Sequence, residues 1–189
     1  MRIVGGDLRG RMLATPKSQA IRPTTDRTRE SLFNIIAHAY PEALDDTNML
    51  DLFAGTGAIG LEAISRGVRM AVFVENSVEG RGLLWNNIDT LGLHGRTRIM
   101  RRDATKIGQP VQLQPFDFLF ADPPYGKGLG DQALDAVDRG GWLKPGALVI
   151  VEERAGVTLR LSAGFQPLET RDFGETEMHF FRYQDTAGV

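Results

Sequence analysis

The decapeptide Asp51-Leu52-Phe53-Ala54-Gly55-Thr56-Gly57-Ala58-Ile59-Gly60 constrains this chain more than any other stretch. An apolar, strand-like run (Met49, Leu50, Leu52, Phe53) feeds into a helix-like one starting at Ala58. The junction carries glycines with G-x-G-x-x-G spacing at Gly55, Gly57 and Gly60. Without Cβ atoms such a turn can be tight, can use positive φ and can bring its backbone close to a ligand. A strand, a glycine turn and a helix in that order form the first unit of a nucleotide-binding parallel sheet.

The rest of the chain continues the alternation. Further strands are expected at 70–74, 98–101, 116–121 and 147–151, after a first at 48–53. Helices are expected at 58–66, 78–91 and 129–139, each stopping at glycine: Gly67, Gly92 and Gly140-Gly141. Short strands at 159–161, 166–169 and 178–183 predict an antiparallel finish, and residues 185–189 a frayed end. Upstream, Thr24 or Thr25 can cap a helix whose stripe is Leu32, Phe33, Ile35, Ile36 and Ala39, ending before Pro41. Residues 1–23 read as an appendage with short strands at 2–4 and 12–14 around Gly5-Gly6. The expectation is an α/β fold with right-handed crossovers between parallel strands.

Composition removes several chemistries. With 189 residues the chain can bury a sizeable core, and with no cysteine it has no disulfide, thiolate metal site or thiolate nucleophile. His38, His94 and His179 share no metal-ligand spacing, so no metal is expected. No run of about 18 apolar residues suggests a membrane span, and the first residues lack the apolar core of a secretory signal, so a cytoplasmic location is expected. The net charge of −2 hides an asymmetry: residues 1–30 hold seven basic and three acidic side chains, a surplus of +4 that leaves −6 for the remainder. A basic arm on an acidic body is an electrostatic footprint for a polyanion, or else a solvated terminus. The stretch Arg96, Arg98, Arg101, Arg102, Lys106 reads as a solvated face, and Trp85 and Trp142 as core.

Glu75 ends the second strand, 20 residues after Gly55, where a carboxylate can accept both hydroxyls of a ribose. The combination fits a nicotinamide dinucleotide as well as S-adenosylmethionine. Two acids favour the latter. Asp51 lies before the turn, where it can hold a ligand ammonium and would oppose a pyrophosphate. Asp103, after the third strand, can accept an adenine amino group or simply cap the following turn. Asp122-Pro123-Pro124-Tyr125 then follows the strand 116–121, at the edge where open α/β sheets bind ligands. An exocyclic base nitrogen is a poor nucleophile because its lone pair is delocalised into the ring. The Asp122 carboxylate and Pro123 carbonyl can take its two N–H groups and turn the lone pair outward, the prolines preorganising both acceptors. Tyr125 can stack on an extruded base. An Asp leans toward guanine, whose adjacent N1–H and N2–H are both donors, although it can also serve adenine.

With these motifs in hand the chain resembles the bacterial RsmD family. The resemblance lies in Arg2-Ile3-Val4-Gly5-Gly6, Arg9-Gly10-Arg11, the run Arg22–Ile35, Asp51–Gly60, Leu61-Glu62-Ala63, Ser65-Arg66-Gly67, Glu75 and Asp122–Tyr125. It implies a Rossmann-like class I methyltransferase with a seven-stranded, mostly parallel sheet and an N-terminal hairpin and helix. The division implied is a basic extension at 1–40 and a catalytic domain at 41–189. It further implies methylation of a guanine N2 in 16S ribosomal RNA, within the small subunit or its precursor, with S-adenosylmethionine as donor. Cofactor contacts carry over to Asp51, Phe53, Gly55, Gly57, Glu75 and Asp103, and catalytic roles to Asp122, Pro123, Pro124 and Tyr125. RNA contacts fall on Arg2, Arg9, Arg11, Arg22 and Arg27. The alternatives kept beside it are N6-adenine methylation of DNA or RNA, a nicotinamide-dependent oxidoreductase, and an RNA-binding module without catalysis.

Overall fold

A computed structural model describes residues 1–186; the expected frayed end therefore lies, from residue 187 on, outside the described residues. Helix α1 spans Asp26–Ala39, with Thr25 as its cap: the Thr25 side chain accepts from the Thr28 N–H. Strand β1 (Asn48–Leu52) leads into α2 (Ala58–Ser65), β2 (Met70–Val74) into α3 (Val78–Leu91), followed by β3 (Thr97–Met100). Then come β4 (Phe116–Ala121), α4 (Leu129–Gly140), β5 (Leu143–Arg154), β6 (Phe165–Asp172) and β7 (Thr176–Tyr183). The seven strands form one sheet in the order β3-β2-β1-β4-β5-β7-β6. Strands β1 to β5 pair in parallel, and β7 runs antiparallel to both β5 and β6.

Alternation along the central strands serves two cores. Met49, Phe73, Phe118 and Phe120 face α1, α2 and α3. Leu50, Leu52, Val72 and Leu119 face α4, where Ala133, Leu134, Val137 and Trp142 close the other side. Strands buried on both faces read as continuous apolar runs, which is why their existence was plain from sequence. Their ends were less so. β5 begins four residues before the expected Ala147 and runs three beyond Val151, because the register Phe116↔Leu143 and the antiparallel β7 extend its pairing in both directions. Residues 159–161, expected as a strand, join no ladder; Leu159 and Leu161 instead pack against the α4-side core. The appendage forms an isolated bridge, Arg2↔Met12, rather than two strands.

Helix α2 is buried on every side, from Ala58 to Ser65. The sheet covers one face and the N-terminal arm the other. Glu62, fully buried, accepts from Val4 N–H at 3.0 Å, Gly5 N–H at 2.8 Å and Arg66 Nε at 2.9 Å. Ser65 Oγ accepts from Leu8 N–H and donates to the Gly5 carbonyl. Gly6 sits at φ +75, and a Cβ there would fall 1.9 Å from the Ser65 carbonyl oxygen, so only glycine lets the arm lie this close. Arg29, also fully buried, donates to the Arg2 carbonyl at 2.6 Å and pairs with Asp26. Asn87 of α3 completes the attachment: its Oδ1 accepts from Ala14 N–H and its Nδ2 donates to the Thr56 carbonyl. The arm is thereby tied through one side chain to the glycine turn.

Removing a buried carboxylate that serves three donors leaves all three unsatisfied. Glu62→Ala is expected to cost about 3 kcal/mol or more in urea denaturation. It should also expose residues 1–15 to limited proteolysis, whereas Glu62→Gln, which keeps an acceptor, is expected to lose less. An Ala variant within about 0.5 kcal/mol of the parent would mean the arm is held by packing alone.

Candidate functional site

The order 3-2-1-4-5 reverses direction beside β1, and open α/β sheets bind ligands at such a point, outside the carboxyl ends of the strands. A cavity of about 590 Å³ lies there. Its walls include Asp51, Phe53, Gly55, Glu75, Asp103, Asp122, Pro123, Pro124 and Tyr125, so the structure brings both sequence motifs to one space.

The three glycines of the turn divide their work. Gly55 faces the cavity at φ +55, with only Ile21 Cγ2 near a notional Cβ. Gly57 and Gly60 lie outside the lining and serve packing. A Cβ on Gly57 would stand 2.2 Å from Leu84 Cδ1, and one on Gly60 would stand 2.4 Å from Phe73 Cε1. Gly57 thus shapes the turn from outside the cavity lining. Phe53 also has positive φ (55), an unfavourable conformation for a bulky residue, at the step where strand becomes turn.

Each acid at the strand ends is engaged by backbone. Asp51 is 2% exposed and its Oδ2 accepts from Gly60 N–H at 3.1 Å. Burial pushes the Asp51 carboxyl well above the usual range; the Gly60 N–H counters this and the neighbouring Glu75 adds to it. Glu75 accepts from Gly55 N–H at 2.6 Å through Oε2 and from Ser77 N–H at 2.8 Å through Oε1. It therefore clamps the glycine turn to the end of β2, and each oxygen keeps a second lone pair. Asp103 is exposed; its Oδ1 accepts from the Thr105 N–H and hydroxyl, which hold its carboxyl below the usual range. The cap and the cavity wall are one residue.

At the tetrapeptide Asp122–Tyr125, burial drives the Asp122 carboxyl well up, and the Glu152 charge drives it further. Burial also raises Tyr125, as do the Asp122 and Glu152 charges. The Tyr125 hydroxyl donates to Glu152 Oε1 at 3.2 Å, and Glu153 Oε1 accepts from Gly126 N–H at 3.0 Å. Two adjacent acids of β5 therefore brace the loop 122–126. Sequence reasoning passed over both, although an acidic pair closing the apolar run 147–151 was the available signal.

The arm residues separate. Arg22 lines the cavity with Ala20, Ile21, Pro23 and Thr24, and Ser18 ties this loop to Glu79 of α3. Arg2 lies 3.7 Å from Asp26, and Arg11 Nη2 donates to the Thr90 carbonyl, while Arg9 and Arg27 are simply exposed. In the second basic stretch, Arg96 donates to the Val68 and Arg69 carbonyls and Arg102 to that of Ile107, so these two brace backbone rather than form an open face. Trp142 is fully buried as expected. Trp85 is not core: it is 57% exposed beside the His94 ring, because the buried stripe of α3 runs through Leu84, Ile88 and Leu91.

The raised Asp51 carboxyl has a pH consequence. Its unfolded value is near 3.8, and the folded protein holds the proton to higher pH. The associated stability is full below about pH 4 and is lost as pH rises through the folded value. Asp51→Asn, which can still accept from Gly60 N–H, should therefore match the parent's Tm in acid and exceed it progressively toward pH 8. A Tm difference that stays constant with pH would show that Asp51 titrates alike in both states.

A family model described as conserved hypothetical protein 95 matches residues 1–182. The ribosomal RNA small subunit methyltransferase D of Escherichia coli (strain K12) is 39% identical over 152 residues, covering 80% of this chain and 74% of that protein. Its Haemophilus influenzae counterpart is 35% identical over 154 residues, covering 80% and 78%. Among solved structures, yhhF from Escherichia coli, a candidate methyltransferase, superposes with TM-score 0.83 at 32% identity, covering 98% of this chain and 99% of that one. TrmN from Thermus thermophilus superposes with TM-score 0.67 over 83% of this chain and 48% of its own; at 22% identity that likeness shows the fold alone. With a family model matched over nearly its whole length and two relatives above 30% identity, this chain belongs to the RsmD family and has the seven-stranded sheet of class I methyltransferases.

Proposed function

We propose that this protein methylates ribosomal RNA with S-adenosylmethionine as donor, placing the methyl on the exocyclic N2 of a guanine in 16S RNA. The observation that carries the reading is the convergence on one cavity of Asp51, Gly55 and Glu75 with Asp122-Pro123-Pro124-Tyr125. The relatives named as small-subunit ribosomal RNA methyltransferases supply the substrate class.

The residues present fit the donor. A buried carboxylate at Asp51 suits a ligand ammonium and is itself relieved by that cation. The spare lone pairs of Glu75 suit ribose hydroxyls, and Asp103 suits an adenine amine. Phe53 and Gly55 wall the space between them. S-adenosylmethionine, when bound, supplies a methyl group on a sulfonium, which needs no strong base to leave. The protein's share is therefore orientation and charge.

Asp122 and the Pro123 carbonyl accept the two N–H groups of the amine, aiming its lone pair at the methyl carbon, and Tyr125 supports the extruded base. A donor held by Asp51, Glu75 and Asp103 would supply the methyl for the new N–C bond, its C–S pair leaving with sulfur. One N–H proton then moves to the Asp122 carboxylate and its bonding pair stays on nitrogen. An Asp122 raised above the usual carboxylate range is a good destination for that proton. The RNA backbone is assigned to the arm, with Arg9 and Arg27 exposed for phosphates and Arg22 at the cavity mouth near the base.

The test is transfer of labelled methyl to small ribosomal subunits lacking the native modification, followed by nucleoside analysis. Label in N2-methylguanosine is expected, whereas label in N6-methyladenosine would move the assignment to adenine. Asp122→Ala is expected to lower turnover by at least 100-fold while cofactor affinity stays within about threefold of the parent. Arg9→Ala with Arg27→Ala should weaken RNA binding and lower its salt slope by roughly two, one for each phosphate that the arm would no longer neutralise. An unchanged slope would place the RNA elsewhere.

A further inference from the structure

Behind the catalytic tetrapeptide two carboxyls meet without a cation. Ala121 of β4 pairs with Val151 of β5, so the next residues, Asp122 and Glu152, lie side by side at the sheet edge. Glu152 is 5% exposed. Its Oε1 takes two donors, the Tyr125 hydroxyl at 3.2 Å and the Thr176 hydroxyl from β7 at 3.1 Å. Its Oε2 is buried and accepts from no group among the described residues. The Tyr125 hydroxyl also interacts with Asp122, and one phenolic proton cannot serve both acids at once.

Two adjacent buried carboxylates cannot both stay ionised, so the pair retains a proton. Geometry says where it sits. An ionised Glu152 would leave charge on an oxygen with no donor, in the interior, where unpaired charge is far costlier than an unpaired neutral group. Asp122 instead faces the cavity, where solvent or the substrate amine supplies donors.

We propose that Glu152 is a positioning residue that holds the proton of this pair, anchors Tyr125 and keeps Asp122 ionised toward the base. This rests on the methyl-transfer reading above. It also sharpens the choice of base. An ionised Asp122 is acceptor-only and matches the adjacent N1–H and N2–H of guanine; a protonated one would offer donor plus acceptor and match adenine as an amide does. The charges of Asp51 of β1 and Glu153 of β5 raise Asp122, and the Thr176 and Tyr125 hydroxyls lower Glu152, so both draw the proton toward Asp122; against them stands the buried Glu152 Oε2, which has no donor to hold a charge. Farther along, Glu177 and His179 of β7 interact with each other. Burial pushes both carboxyls up, so the pair as a whole holds its proton. After transfer, the amine proton on Asp122 leaves two neutral acids, a state that burial favours.

Infrared spectra of the ligand-free protein at neutral pH provide a test independent of substrate. A protonated carboxyl band should vanish in Glu152→Gln and persist in Asp122→Asn; Asp51 is common to all variants and cancels in the differences. In turnover, Glu152→Ala should lower kcat at least tenfold with KM for RNA within threefold of the parent, and Glu152→Gln, which mimics the neutral acid, should restore most of the loss. The parent should lose activity at alkaline pH as the pair gives up its last proton, and Glu152→Gln should lack that limb. A band lost in Asp122→Asn but kept in Glu152→Gln, or Gln as poor as Ala, would overturn the proposal. If the Ala variant does not fold, the spectra and the Gln variant still decide. Absence of any methyl transfer by the parent would refute the function while leaving the infrared assignment standing.

Discussion

Parallel pairing of β1 with β2 on one side and β4 on the other is the constraint from which this site follows. It sets the carboxyl ends of four neighbouring strands in a row, and each bears an acid there: Glu75, Asp51, Asp122 and Glu152. No local propensity would gather four carboxyls at one edge. The sheet does so because its strands are fixed by two apolar cores, and the acids ride on their ends. The cost is met by local donors: Gly60 N–H for Asp51, Gly55 and Ser77 N–H for Glu75, two hydroxyls for Glu152. What those donors leave uncompensated is negative potential, which would suit the sulfonium and ammonium of the proposed donor.

Much of this was legible in the sequence, for identifiable reasons. The strand-turn-helix at 48–60 was plain because a strand buried on both faces is uniformly apolar and its exit needs glycine. A helix start at Thr24 or Thr25 and the stop at Gly92 were plain because capping is local chemistry. What was not legible depended on pairing. β5 gained residues at both ends from partners distant in sequence, and Leu159–Leu161 lacks strand character because no partner edge lies beside it. Trp85 was misplaced by its composition alone; its position off the Leu84–Ile88–Leu91 stripe decides its exposure.

The same distinction governs the site. Motif spacing located Asp51, Glu75 and Asp122, but spacing alone gave all three glycines a single role. In space only Gly55 meets the cavity, while Gly57 and Gly60 let α2 approach Leu84 and Phe73. Glu152 carries no motif. Its importance arises from one register, Ala121↔Val151, and from a hydroxyl on β7 that lies 24 residues away in sequence.

The arm resolves an electrostatic conflict that the acidic edge creates. A polyanion approaching a cavity whose walls include Asp51, Glu75, Glu79, Asp103 and Asp122 meets like charge, yet the proposed reaction brings an RNA base into it. Residues 1–30 carry a surplus of +4, and the structure fixes their position rather than leaving them as a tail. Glu62 and Ser65 hold the arm on α2, Asn87 joins it to the glycine turn, and Ser18 to α3. The loop from Ala20 to Thr24 is thereby laid along the cavity mouth, with Arg22 in the wall and Ile21 against Gly55. The segment anchored this firmly places Arg22 in the cavity wall beside an acidic interior. In the proposed reading the rim would hold phosphates while the interior keeps its negative potential for a cationic donor.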